Sequence, residues 1–141
     1  MAELDEIIYE AIRADAELSS LQGGIHSTCI EVPPMDADNT PLPYIIITDD
    51  SLQNQQGSKD EQWESMYDNV QAGVEIAAIS PNEVKRLRRL VRRAIARYME
   101  RMDEAPLLLS LTNDGIAWDW TKPCYYDTLH YQCEVINDLT D

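Results

Sequence analysis

The sequence predicts an α+β domain: a mainly antiparallel sheet of about four to five strands with two amphipathic helices packed on one face. Three observations carry this expectation. Two segments space their apolar residues by three and four, and several others alternate with a period of two. The elements also follow the order helix, strands, helix, strands, without the regular alternation that a parallel sheet requires. The chain has 141 residues, 44% of them hydrophobic, which is one domain's length (1–141). A chain of this size buries about two-thirds of its unfolded surface, so its core needs neither disulfide nor metal.

Residues 4–21 place Leu4, Ile7, Ile8, Ala11, Ile12, Leu18 and Leu21 on one side of a helix, and Gly23-Gly24 stops it. Residues 25–32 are rich in β-branched types and end at Pro33-Pro34, which predicts a short strand and a loop. Tyr44 to Thr48, with three successive isoleucines between flanking prolines, predicts a strand buried on both faces. Residues 51–62 are polar and lack periodicity, so a mobile hairpin loop is expected there. From Met66 the chain sets Val70, Ala72, Val74, Ile76 and Ala78 against polar neighbours, the period of a half-buried strand.

Ser80-Pro81-Asn82-Glu83 reads as a capping box with proline at the first helical position. The helix it opens, residues 81–102, carries Val84, Leu87, Val91, Ala94, Ile95, Tyr98 and Met102 on one side. Lys85, Arg86, Arg89, Arg92, Arg93 and Arg97 lie on the other, with Arg88 at the border. Residues 107–112 and 116–120 flank Asn113-Asp114-Gly115, a strong hairpin signal. A last strand follows from Cys124 to about Ile136, its Leu129, Tyr131, Cys133 and Val135 sharing one face. The chain shows no internal repeat, and only the glutamine-rich stretch in 51–62 is of low complexity.

Charge narrows the function. The formal net charge is −15, with 26 acidic residues against 11 basic, and a mean field of that sign repels phosphates. Nucleic-acid binding is therefore not expected of the chain as a whole. Yet eight of the basic residues fall between Ser80 and Met102, where only Glu83 and Glu100 oppose them. This stripe reads as a solvated helix face or as a subunit contact; nucleic-acid binding is its weaker use. An unlike pair of patches on one subunit type joins copies head to tail and makes a ring when the rotation closes. No run of 18 apolar residues exists and the first residues are acidic, so neither a membrane span nor a signal peptide is expected. Three cysteines without a CxxC pair suit reduced thiols in a cytoplasm.

The search for chemistry yields weak candidates. His26-x-x-Cys29 and His130-x-x-Cys133 repeat a metal-like spacing with Cys124 nearby. On strands, however, residues three apart point to opposite faces and cannot chelate one ion, so no metal or other cofactor is expected. An enzyme would have to use these cysteines with His26 or His130 through long-range juxtaposition. Asp36-Ala37-Asp38-Asn39-Thr40 opens like a calcium loop, but Pro41 replaces the required glycine and Ile47 the required glutamate. Trp118 and Trp120, with Trp63, Tyr44, Tyr125, Tyr126 and Tyr131, suit core or interface packing better than a base-stacking platform in so acidic a chain.

The order of parts resembles the tail terminator, or tail-completion, proteins of long-tailed bacteriophages and prophages. The likeness is carried by Leu21-Gln-Gly-Gly-Ile25, Pro41-Leu-Pro-Tyr-Ile-Ile-Ile-Thr48, the passage Val74-Glu-Ile-Ala-Ala-Ile-Ser-Pro-Asn-Glu-Val84, and Tyr126-Asp-Thr-Leu-His-Tyr-Gln-Cys-Glu-Val135. It covers nearly the whole chain. The resemblance implies a structural virion protein, not an enzyme, that assembles in the host cytoplasm and then resides in the virion tail or neck. Its copies would form a ring, a hexamer in that family, on the completed tail tube and present a surface to the head-connector protein. Lys85, Arg86, Arg89, Arg92, Arg93 and Arg97 are the candidate subunit contacts, and Gln53, Asn54, Gln55, Gln56 and Lys59 the candidate contacts to the tube protein. The alternatives are a head-completion or neck adaptor, a small cytoplasmic enzyme, and a nucleic-acid-binding module using the arginine helix.

Overall fold

The computed structural model describes residues 3–28, 34–55 and 66–137. The second half of the strand predicted at 25–32, including Cys29, lies outside the described residues, as do Gln56, Lys59 and Trp63. The described chain is α+β, with three helices and a six-stranded mixed sheet. The helices are α1 (Leu4–Arg13), α2 (Ala16–Ser19) and α3 (Pro81–Glu100). The strands are β1 (Ile25–Ser27), β2 (Tyr44–Asn54), β3 (Tyr67–Ala78), β4 (Leu107–Asn113), β5 (Ala117–Asp119) and β6 (Cys124–Ile136).

The sheet order is β1-β2-β3-β6-β4, with β5 also on β6. Only β1 and β2 run parallel; every other pair is antiparallel. Helices α1 and α3 cover one face. Their Ile8, Ile12, Leu87, Val91 and Ile95 join Ile45, Val74, Ile76, Leu129 and Cys133 in a single core. The period-two residues of β3 and β6 point into it as their spacing predicts. A smaller cluster of Tyr44, Ile46, Ala77 and Cys124 forms on the opposite face. Residues 44–47 are accordingly buried on both sides.

Four expectations need correction. The amphipathic segment 4–21 is two helices, not one: Asp15 leaves helical geometry and its Oδ1 accepts from the Glu17 and Leu18 amides at 3.0 and 3.1 Å. This local capping bond outcompetes continuation of the first helix. Among the described residues the sheet has six strands, not four to five, and the segments on either side of Asn113-Asp114-Gly115 do not pair with each other. Both instead lie along β6, β4 on Leu129 to Glu134 and β5 on Cys124 to Tyr126.

The hairpin loop begins later than predicted, since residues 51–54 belong to β2 and pair with β3. At its end Asn54 Nδ2 donates to Asp68 Oδ1 at 2.7 Å, and Gln55 Nε2, just beyond, donates to Asn69 Oδ1 and Glu134 Oε2. The capping box, finally, is half made. Ser80 Oγ accepts from the Glu83 amide at 3.2 Å, while the Glu83 carboxylate turns to Arg86 instead of back to Ser80. Ser80→Ala removes the one side-chain acceptor of this helix start and is expected to cost about 1 kcal/mol, read as a lower urea midpoint with an unchanged slope.

Candidate functional site

Helix α3 lies over β3 and β6, and its two flanks differ: α1 packs beside it over β2 and β3, whereas β4 lies on the other side. Edge strand β4 projects past the helix. It carries a bulge between Leu108 and Ser110, so Leu108 and Leu111 both face the helix side, opposite Cys133 and Tyr131. Between them and α3 opens a groove of about 400 Å³, floored by Ile95, Met99, Leu108, Leu111 and Tyr131 and rimmed by Arg89, Arg92 and Arg93. Leu107, Leu108 and Leu109 are 59%, 47% and 45% exposed, an apolar strand edge of the kind that proteins normally blunt or cover.

The predicted arginine stripe divides by partner. Arg86 is engaged within the chain: Nη2 donates to Glu83 at 2.6 Å and Nη1 to Glu17 at 3.2 Å, tying α3 to α2. That hydrogen bond from Arg86 holds the Glu83 carboxyl below its ordinary pKa. Lys85 is exposed at the first turns of α3. Arg97 looks the other way, lining a separate depression with Ala11, Asp15, Ala16 and Arg101. Arg89, Arg92 and Arg93 are exposed and, among the described residues, have no acidic side chain within ion-pair distance. Three cations thus gather without counter-charge beside an uncovered apolar floor.

Arg88, at the helix border, has a different task. Its Nη1 donates at 2.7 Å to Oδ2 of Asp127, whose side chain is fully buried. The same carboxylate accepts from Asn113 Nδ2 at 3.0 Å and from the Gly115 amide at 2.9 Å. Burial alone would raise the Asp127 pKa; the bonds from Asn113, Arg88 and Gly115 outweigh it and hold the carboxyl below its usual value. This buried anchor fixes the chain between β4 and β5 to α3, and so positions the groove.

On the far side of the sheet, β1 pairs with β2 only at residues 45–47. Thr28, at φ 75, still donates its amide to the Ile47 carbonyl at 2.9 Å. Along the outer part of β2, Asp49, Asp50 and Leu52 are exposed, Leu52 by 60%.

The chemical candidates do not converge. His130 points away from the core and meets Asp114 at 2.9 Å, whereas Cys133, three residues on, is buried in the core, where desolvation pushes its thiol up to about 11. His26 Nε2 donates to the Gly23 carbonyl at 2.7 Å. Cys124 belongs to the small cluster on the opposite face, 4.0 Å from the Tyr44 hydroxyl, and burial raises its pKa as well. Among the described residues no group of three metal-ligating side chains gathers. Asp36 closes its loop by accepting from the amides of Asp38 and Thr40, both at 2.9 Å.

Of the aromatic residues, Trp118 meets Trp120 and Tyr125 edge to face, at centroid distances of 5.7 and 4.9 Å, and Trp120 is 86% exposed. Tyr44 and Tyr131 are buried on opposite faces, so the aromatics among the described residues form no single platform. Of the predicted tube contacts, Gln53 and Asn54 are strand residues and Gln55 follows directly, cross-linked to β3 and β6. Sequence reasoning missed Leu108 and Leu111. For Leu108 the one signal was the run of three leucines at 107–109.

No family model matches the chain, and the search of curated proteins finds no relative. No helix among the described residues is long and apolar enough to cross a membrane.

Proposed function

We propose that this chain is a structural ring subunit of the tail-terminator kind, which caps a completed phage tail tube and offers the head connector its docking surface. It works by docking to copies of itself, to the tube protein and to the connector, in the host cytoplasm during assembly and then in the virion neck. The observation that carries the reading is the groove beside α3: three unpaired arginines over an apolar floor, in a chain whose remaining surface is strongly acidic. Such a site is complementary to the rest of the molecule that bears it, which favours head-to-tail contact between identical copies. The resemblance in the order of helices and strands supplies the tail-tube context.

The experiment is sedimentation of the purified chain across a concentration series, alone and with polymerising tail-tube protein. The expected outcome is a concentration-dependent oligomer that collects at tube ends and halts elongation. A protein that stays monomeric at millimolar concentration, and leaves tube length unchanged, overturns the proposal.

A further inference from the structure

The two flanks of α3 carry hollows of like size and opposite charge. Toward β4 lies the arginine-rimmed groove of about 400 Å³; toward α1 lies a second hollow of about 350 Å³, with Ile7, Tyr98 and Met102 in its floor and Asp5, Glu6 and Glu10 at its rim. The acidic rim follows from the pattern of α1. Its Leu4, Ile7, Ile8, Ala11 and Ile12 are buried, which turns Glu3, Glu6 and Glu10, spaced by three and four, outward as one exposed stripe. Glu3 stands at the N-cap yet makes no side-chain capping bond. Among the described residues no cation lies within ion-pair distance of these three carboxylates, whereas Glu17, Glu83 and Asp127 already hold Arg86 and Arg88. Each flank thus carries charge of one sign, unanswered within the described chain, around an apolar hollow.

We infer that these two flanks dock on each other between copies: the Glu3, Glu6 and Glu10 stripe of one copy lies along the Arg89, Arg92 and Arg93 rim of the next. This rests on the ring reading above and names the surface that the arginine groove receives. The spacings agree, since Glu6 and Glu10 stand four residues apart on α1 as Arg89 and Arg93 do on α3, about 6 Å of helix axis in each case. Both flanks are apolar beneath the charge, with Leu108 47% exposed at the one and Tyr98 and Met102 at the base of the other, so the contact covers apolar surface as well as joining charges. Because α1 lies over β2 and β3, on the side of α3 away from β4, the two patches occupy opposite sides of one subunit. The contact is therefore head to tail, and each copy keeps one patch open for a further neighbour until the rotation closes. Complementary potential of this kind selects the partner and fixes the register.

Two charge-reversed chains test the docking. One carries Glu3→Lys, Glu6→Lys and Glu10→Lys together, the other Arg89→Glu, Arg92→Glu and Arg93→Glu together. Each then bears two patches of the same sign and should self-associate about a thousandfold less tightly than wild type in sedimentation. Mixed in equal amounts, the two chains set an acidic patch against a basic one at every contact, so an alternating assembly of wild-type size is expected. Recovery on mixing also shows that both chains are folded. Gln at positions 3, 6 and 10 removes the charge and keeps the side-chain size; it should weaken association about tenfold or more. Assembly indifferent to both the Lys and the Gln changes, or no recovery on mixing two chains whose urea midpoints match wild type, overturns this docking while leaving the ring reading standing. Absence of any self-association by the wild-type chain, with or without tubes, overturns both.

Discussion

Replacing Asp127 by alanine is expected to cost the domain about 3 kcal/mol, the penalty for removing one partner of a buried ion pair. The side chain is fully buried and serves three donors on three segments: Arg88 of α3, Asn113 at the end of β4 and the Gly115 amide. Arg88→Ala should cost less, since Asp127 keeps two donors and the guanidinium it loses is already 27% exposed. The difference in urea midpoint between the variants measures this asymmetry.

The pH dependence has a definite sign. The folded-state pKa of Asp127 is lowered, so its stabilisation is fully present above the unfolded carboxyl value, about 3.9, and is lost as pH falls through the lower folded value. The stability gap between wild type and Asp127→Ala should therefore be constant from neutral pH to about pH 4 and narrow below it. A gap that persists undiminished into acid would show that packing, not the carboxylate charge, is what the substitution removes.

Asp127 also shows where sequence reading stops. Asn113-Asp114-Gly115 carries the composition of a tight hairpin turn, yet the chain only bends there and continues along the same edge of β6. The deciding force is a carboxylate twelve residues beyond Gly115, and no local rule contains it. What was legible is what depends on neighbours in sequence: the capped arginine helix, the doubly buried isoleucines, and the alternation in β3 and β6. Residues 51–54 were misread as loop for the converse reason, since what makes them strand is pairing with residues 68–71 of β3, which their own composition does not signal.

The groove follows the same logic. Leucines at 107–109 and arginines at 89–93 were both visible, but their juxtaposition needs β4 to dock on β6 outside α3, which is a fact of topology. The pattern of α3 told which residues leave the core. It did not tell which arginines find partners within the chain, as Arg86 and Arg88 do, and which have no carboxylate beside them among the described residues.

Reversing Arg89, Arg92 and Arg93 to glutamate together should weaken association about a thousandfold, or about 4 kcal/mol, while leaving the monomer folded. All three are exposed and among the described residues pair with no carboxylate, so their loss removes no internal bond, and surface changes of this kind usually move stability by about 0.5 kcal/mol or less. The cost falls on docking, where attraction to an acidic surface becomes repulsion.

Salt provides an independent check. Screening shortens the reach of charge from about 10 Å at 0.1 M to about 3 Å at 1 M, so added salt should weaken the wild-type contact and strengthen that of the reversed variant, whereas a contact made by leucines alone would ignore it. Arg97→Glu serves as the control, because Arg97 faces the α1 side away from the groove. Equal loss on reversing Arg97 would place the contact elsewhere on the molecule.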